Sequence, residues 1–222
     1  MKGFYITSIT ILALATVGFL SVARALDERR EGLQEVGEEL AYLPSAKYLK
    51  PALLGFEHLA ADIFWLQTIQ YFGGHYQADR RFPKLYPLVD LVTSLDPQFV
   101  EAFRIGGLLL TLTRRYPEAI AIYQKGIANN PDRWEIPYDL GRLYYLDVKD
   151  YPKALQYWEL ANRLPNRAHY LPRMVARLHA RTGHRETAIE LWLEMYRSTD
   201  NAQLQEIIAR ELEKLGVSVE GT

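Results

Sequence analysis

The chain has 222 residues with 26 basic and 27 acidic side chains, a net charge of −1, which excludes the global positive field that draws proteins onto nucleic acid. Its 49% hydrophobic and 24% charged residues exclude a disordered chain and allow one sizeable core. The absence of cysteine excludes disulfides, thiolate nucleophiles and Cys-ligated zinc.

From Gly3 to Ala23 there is no charged residue over 21 positions, long enough at about 1.5 Å per residue for the roughly 30 Å of a bilayer core. Residues 1–24 therefore read as a transmembrane anchor. A signal sequence cleaved near Ala23-Arg24-Ala25 is the alternative. Residues 25–56 read as a juxtamembrane helix followed by a linker. Leu26, Leu33, Val36 and Leu40 give the helix one narrow apolar stripe, and Pro44 and Pro51 break the pattern. From Glu57 to Phe72 the sequence is apolar nearly all round, which predicts a helix that is buried on several sides or meets a partner, stopped by Gly73 and Gly74. A second helix is predicted from Pro83 to Leu95, making 57–97 a degenerate hairpin.

A repeat follows. Gly107 to Gly141, Pro131 to Pro165 and Ala154 to Ala188 are each 34 residues apart, whereas Ala119 to Ala154 is 35, so one extra residue is expected in the intervening turn. The units are Phe103, Gly106-Gly107, Leu110, Ala119, Tyr123 and Pro131; then Pro137, Leu140-Gly141, Tyr144, Ala154, Trp158 and Pro165; then Pro172, Val175-Ala176, His179, Ala188 and Trp192, with Asp200 in place of the closing proline. This pattern resembles the tetratricopeptide repeat, and the block from Tyr42 to Gly73 looks like one that precedes the repeats in membrane-anchored bacterial proteins of that kind. The resemblance implies an all-α superhelix of antiparallel hairpins behind one N-terminal transmembrane helix. The TPR-like domain would cover 57–216, with repeats at 100–131, 134–165 and 169–200 and a capping helix at 201–216 built on Leu204, Ile207, Ile208, Leu212 and Leu215.

The sequence carries no phosphate loop, nucleophile elbow or metal-binding helix, so no enzyme, cofactor or metal is expected. His58 and Asp62, four apart in the apolar helix, are the remaining candidates for an enzyme or ligand site, and a buried ion pair is the plainer expectation. A concave groove lined by the first helix of each repeat is the better candidate. Steps of three and four place Glu101, Arg104, Leu108 and Thr111 on one face, then Glu135, Tyr138, Arg142 and Tyr145, then Tyr170, Arg173, Arg177 and Arg181. Five arginines against two glutamates give this face +3, suited to a protein or peptide partner that is acidic or ends in a carboxylate. The expected role is a membrane-tethered scaffold or adaptor on the periplasmic side of a bacterial inner membrane. The alternative is a permanent subunit of a multi-protein membrane complex, held through Phe64 and Trp65. No nucleic-acid partner is expected.

Overall fold

The computed structural model describes residues 45–219. The expected anchor at 1–24 and the part of the expected juxtamembrane helix before residue 45 lie outside the described residues. Among those described, there are ten α-helices and no strand, and no helix is long and apolar enough to cross a membrane.

A short helix, α1 (Ala46–Leu53), occupies the expected linker. It contains Pro51 and buries no side chain. Four helical hairpins or their equivalent follow: α2 (Glu57–Gln77) with α3 (Leu85–Leu95), α4 (Val100–Leu112) with α5 (Tyr116–Asn129), α6 (Glu135–Leu143) with α7 (Tyr151–Arg163), and α8 (Leu171–Arg181) with α9 (Arg185–Ser198). The terminal helix is α10 (Ala202–Lys214). Loops of three residues between α4 and α5, and between α8 and α9, force an antiparallel turn. Each first helix packs on its own second helix, and each second helix packs on the next first helix, α3 on α4, α5 on α6, α7 on α8 and α9 on α10, which encloses the core.

Close approach of the helices explains the repeated small residues. A methyl group added to Gly107 would run into the Tyr123 ring, and one on Gly141 into the Trp158 indole. In the third hairpin Ala176 and Trp192 take these places, both buried, and Ile208 and Leu212 of α10 close over them. Ile207 is 38% exposed rather than packed, so the capping stripe is narrower than the sequence predicts.

The extra residue of the 35-residue step is not in a loop. In the first and third hairpins the N–H that closes the first helix bonds five residues back, Arg115 to Leu110 and His184 to His179, both at 2.9 Å. In the second hairpin Asp150 N–H reaches six back, to Tyr144 C=O at 3.0 Å. The insertion is absorbed as a π-helical turn over Tyr144–Val148 at the end of α6.

Two further expectations are corrected. Helix α2 runs through Gly73 and Gly74 to Gln77, because Phe72 stacks on Phe82 and Tyr76 and Tyr71 packs on His75, which hold the last turn in place. The next helix begins at Leu85, with Pro83 in the preceding turn.

Candidate functional site

The expected pair of His58 and Asp62 does not form. His58 Nδ1 lies 2.9 Å from Asp96 Oδ2, which raises the imidazole above its ordinary pKa, and Asp62 is exposed rather than buried. Asp96 sits at the end of α3, where the turn into α4 brings it back toward the start of α2. Among the described residues, no group of three His, Asp or Glu side chains could hold a metal ion.

Ten of the twelve groove residues lie on the first helices, with Tyr145 in the π turn and Tyr170 at the N-cap of α8, and the structure brings most of their charges into pairs. Arg104 Nε donates to Asp139 Oδ2 at 2.9 Å and its Nη1 to Glu101 at 3.2 Å. Arg142 lies 3.6 Å from the same Asp139 carboxylate. Arg177 donates to Glu211 of α10 through Nη2 at 2.9 Å and Nε at 3.2 Å. Asp139 and Glu211, which the helical-face spacing omits, add two acids, but Arg133 on Glu135 and Lys214 on Glu211 add two bases, so the sum stays at +3 and what changes is how many of these charges are already paired. Asp139 is buried, and that burial pushes its carboxyl up, while Arg104 and Arg142 pull it back down. Between α4 and the π turn a cavity of about 370 Å³ opens, lined by Leu108, Thr111, Arg114, Asp139, Arg142 and Leu146 among others.

An aromatic strip runs beside this network. Tyr170 meets Tyr138 edge-on with ring centres 6.0 Å apart, Tyr138 lies 6.2 Å from Trp158, Trp158 lies 5.1 Å from Tyr145, and Tyr145 lies 5.5 Å from Tyr151. Trp158 Nε1 donates to the Tyr138 carbonyl at 3.1 Å, which fixes the indole. Desolvation, aided by the neighbouring Tyr170, pushes the Tyr138 phenol up to about 12, so it stays a neutral donor. Arg181 closes the strip. Its guanidinium lies 4.1 Å over the Tyr151 ring and donates to the Tyr151 and Tyr145 hydroxyls at 2.7 and 3.0 Å. The π turn is what carries Tyr145 to this position.

A smaller cavity of about 160 Å³, the size of one side chain, lies between Tyr145, Trp158, Met174, Arg177, Leu178 and Arg181. Arg173, half-buried one turn away on α8, has no ion-pair or hydrogen-bond partner among the described residues. The strip can therefore receive an apolar or aromatic side chain in the small cavity and offer a guanidinium beside it. Sequence reasoning missed Tyr151 and Trp158 as groove residues because both belong to α7, the second helix of its hairpin.

Comparison with known proteins adds little. No family model and no curated protein matches the chain. Among solved structures, it is similar to a chain in the structure of Naa15/Naa10 bound to HypK-THB, at 16% identity and a TM-score of 0.47. The match covers 70% of this chain but spans only 24% of the length of that one.

Proposed function

We propose that the chain is a non-enzymatic scaffold of the tetratricopeptide type, tethered to a membrane by residues 3–23, whose first-helix face holds a peptide segment of another protein. The observation that supports this reading is the run of Tyr170, Tyr138, Trp158, Tyr145 and Tyr151 ending on Arg181, with a side-chain-sized cavity beside it. Rigid aromatic rings offer contact area at small entropic cost, and an arginine fork matches a carboxylate. The favoured partner presents one bulky apolar side chain for the cavity and a carboxylate for Arg173. With Arg104, Arg142 and Arg177 already paired within the chain, a segment with a single well-placed acid suits the face better than a broadly acidic one. Tethering raises the effective concentration of such weakly held partners.

The test replaces Tyr145 and Arg181 with alanine in the full chain and compares the proteins that co-purify from detergent extract. Arg181 is exposed and Tyr145 half-buried at the edge of the core, so helical dichroism should be kept while partner recovery falls about tenfold. Unchanged recovery defeats the groove. Deleting residues 1–24 should release the chain from the membrane fraction on alkaline extraction, and retention there defeats the tether.

The exposed apolar face of α2 favours a second reading, a permanent subunit. Phe64 and Trp65 are half-buried, and Trp65 packs edge-on against Phe99 with ring centres 5.9 Å apart, so the more exposed Leu59, Ile63 and Leu66 would make most of such a contact.

A further inference from the structure

The two ends of the hairpin array are finished differently. At the C-terminal end α10 buries Ile208 and Leu212 and turns Gln203, Glu206, Arg210 and Glu213 outward, the polar cap that stacked hairpins need. At the N-terminal end α2 turns apolar side chains outward. Leu59 is 55% exposed, Ile63 49% and Leu66 63%, and exposed Leu54 and Phe56 extend the patch.

The same stripe of α2 continues through Gln70 and Gly73 in steps of four and three, with Gly74 beside it. Among the described residues every other glycine inside a helix lies under a side chain: Gly106 under Val89, Gly107 under Tyr123, Gly126 under Phe103 and Gly141 under Trp158. Gly73 and Gly74 face nothing within 4 Å. Glycine is a poor helix former, and here it gains no contact within the chain. The outer face of α2 thus bears Leu59, Ile63 and Leu66 on its first half and, on its second, a hollow at Gly73 and Gly74 flanked by the exposed Ile69 and Tyr76.

We propose that this face is the interface between two copies of the chain, with their α2 helices antiparallel about a two-fold axis at Leu66. That axis sets position 66 − n of one copy against 66 + n of the other. Leu59 then enters the hollow at Gly73 of the second copy, Leu66 meets Leu66, and Asp62 comes opposite Gln70. Projection fits hollow twice over, as a self-complementary two-fold contact requires. Asp62 is exposed in the middle of the stripe, four residues before Leu66, and the Gln70 amide supplies the donor its carboxylate needs when covered. A bilayer supplies no such donor, so the carboxylate disfavours lipid as the occupant. The face of a 21-residue helix is about 32 Å long, and with Leu54 and Phe56 of each copy it approaches the roughly 1,000 Å² that a specific interface buries in total. The proposal does not depend on the peptide-binding groove, which lies on other helices.

The chain has no cysteine, so a single introduced thiol at the axis can form a disulfide only with a second copy. The experiment compares Leu66→Cys with Leu112→Cys, an equally exposed leucine on α4, in the detergent-solubilised full chain under mild oxidation. Leu66→Cys should give the disulfide dimer at least about tenfold faster. Gly73→Leu fills the hollow with a better helix former, so the fold is kept. Light scattering should show its dimer dissociation constant raised about tenfold with dichroism unchanged. Equal oxidation of the two cysteine variants, or a dimer indifferent to Gly73→Leu, overturns the proposal. So does a monomer whose α2 face is taken instead by vesicles or by another protein.

Discussion

Arg104 and Asp139, 35 residues apart and on successive first helices, meet at 2.9 Å across the joint between the first two full hairpins. Asp139 has only 8% of its side chain exposed and Arg104 31%. Removing one partner of such a pair leaves a charge short of compensation, and Arg142 at 3.6 Å supplies part of what is lost. Arg104→Met should therefore lower stability at pH 7 by about 2 kcal/mol, below the usual cost for a fully buried pair. Burial holds the Asp139 carboxyl above its ordinary value, so the native state keeps this proton longer than the unfolded chain does. Its contribution is complete at pH below about 3.9 and is lost as pH rises through the higher folded value. Loss of Arg104 raises that folded value further. The destabilisation of Arg104→Met should shrink on acidification, which urea midpoints at pH 7 and pH 4 measure. An undiminished difference would count against the pairing.

Asp150 behaves with the opposite sign. Its side chain caps α7, accepting from Lys153 N–H at 3.0 Å, and this bond holds its carboxyl below the ordinary value. Asp150→Ala should cost about 1 kcal/mol at neutral pH, the usual worth of an N-cap. The cap's contribution is present above the unfolded value and disappears as pH falls through the depressed folded one. Thermal melts of the two proteins should thus converge in acid, where Asp150 is protonated in both states.

The repeat was legible because it is steric. Only glycine fits where Tyr123 and Trp158 cross the first helices, and alanine stands where Trp192 does, so small residues recur at a fixed step. The 35-residue step was visible too, but a count cannot say whether an extra residue enters a loop or widens a helix. The pairing of the groove's charges was not legible for a different reason. Spacing along one helix finds neighbours three and four apart, whereas Arg104 to Asp139, Arg177 to Glu211 and Arg181 to Tyr145 join residues 35, 34 and 36 apart. Those contacts exist only once hairpins stack. The apolar run of α2 was readable as needing cover, while the side left open depended on how α3 packs against it.

Gly141→Ala tests the steric account directly. The added methyl group meets the Trp158 ring, which is anchored to the Tyr138 carbonyl and cannot swing away freely. Overpacking of this kind costs about 1–3 kcal/mol, more than the gain of about 1 kcal/mol from replacing a helical glycine by alanine. The denaturation midpoint should fall, with a shift in Trp158 emission. A midpoint equal to or above that of the parent would show that the contact is loose.

The π turn over Tyr144–Val148 offers a way to separate fold from binding. Deleting Leu146, 50% exposed, shortens the step from Gly141 to the left-handed residue Lys149 from eight to seven, the value between Gly107 and Arg114 and between Ala176 and Gly183. The helix can then close with ordinary α bonds, so the chain should fold with stability within about 1 kcal/mol of the parent. Residues after the deletion rotate about 100° relative to those before it, because each α-helical residue advances by 1/3.6 of a turn. Tyr145 then no longer meets Tyr151 and Arg181 in the observed geometry. The expected outcome is a well-folded protein, by dichroism and urea midpoint, that recovers partner peptide as poorly as the Tyr145 and Arg181 double variant. Retained binding would mean that the insertion is neutral and that the aromatic strip is not the recognition surface.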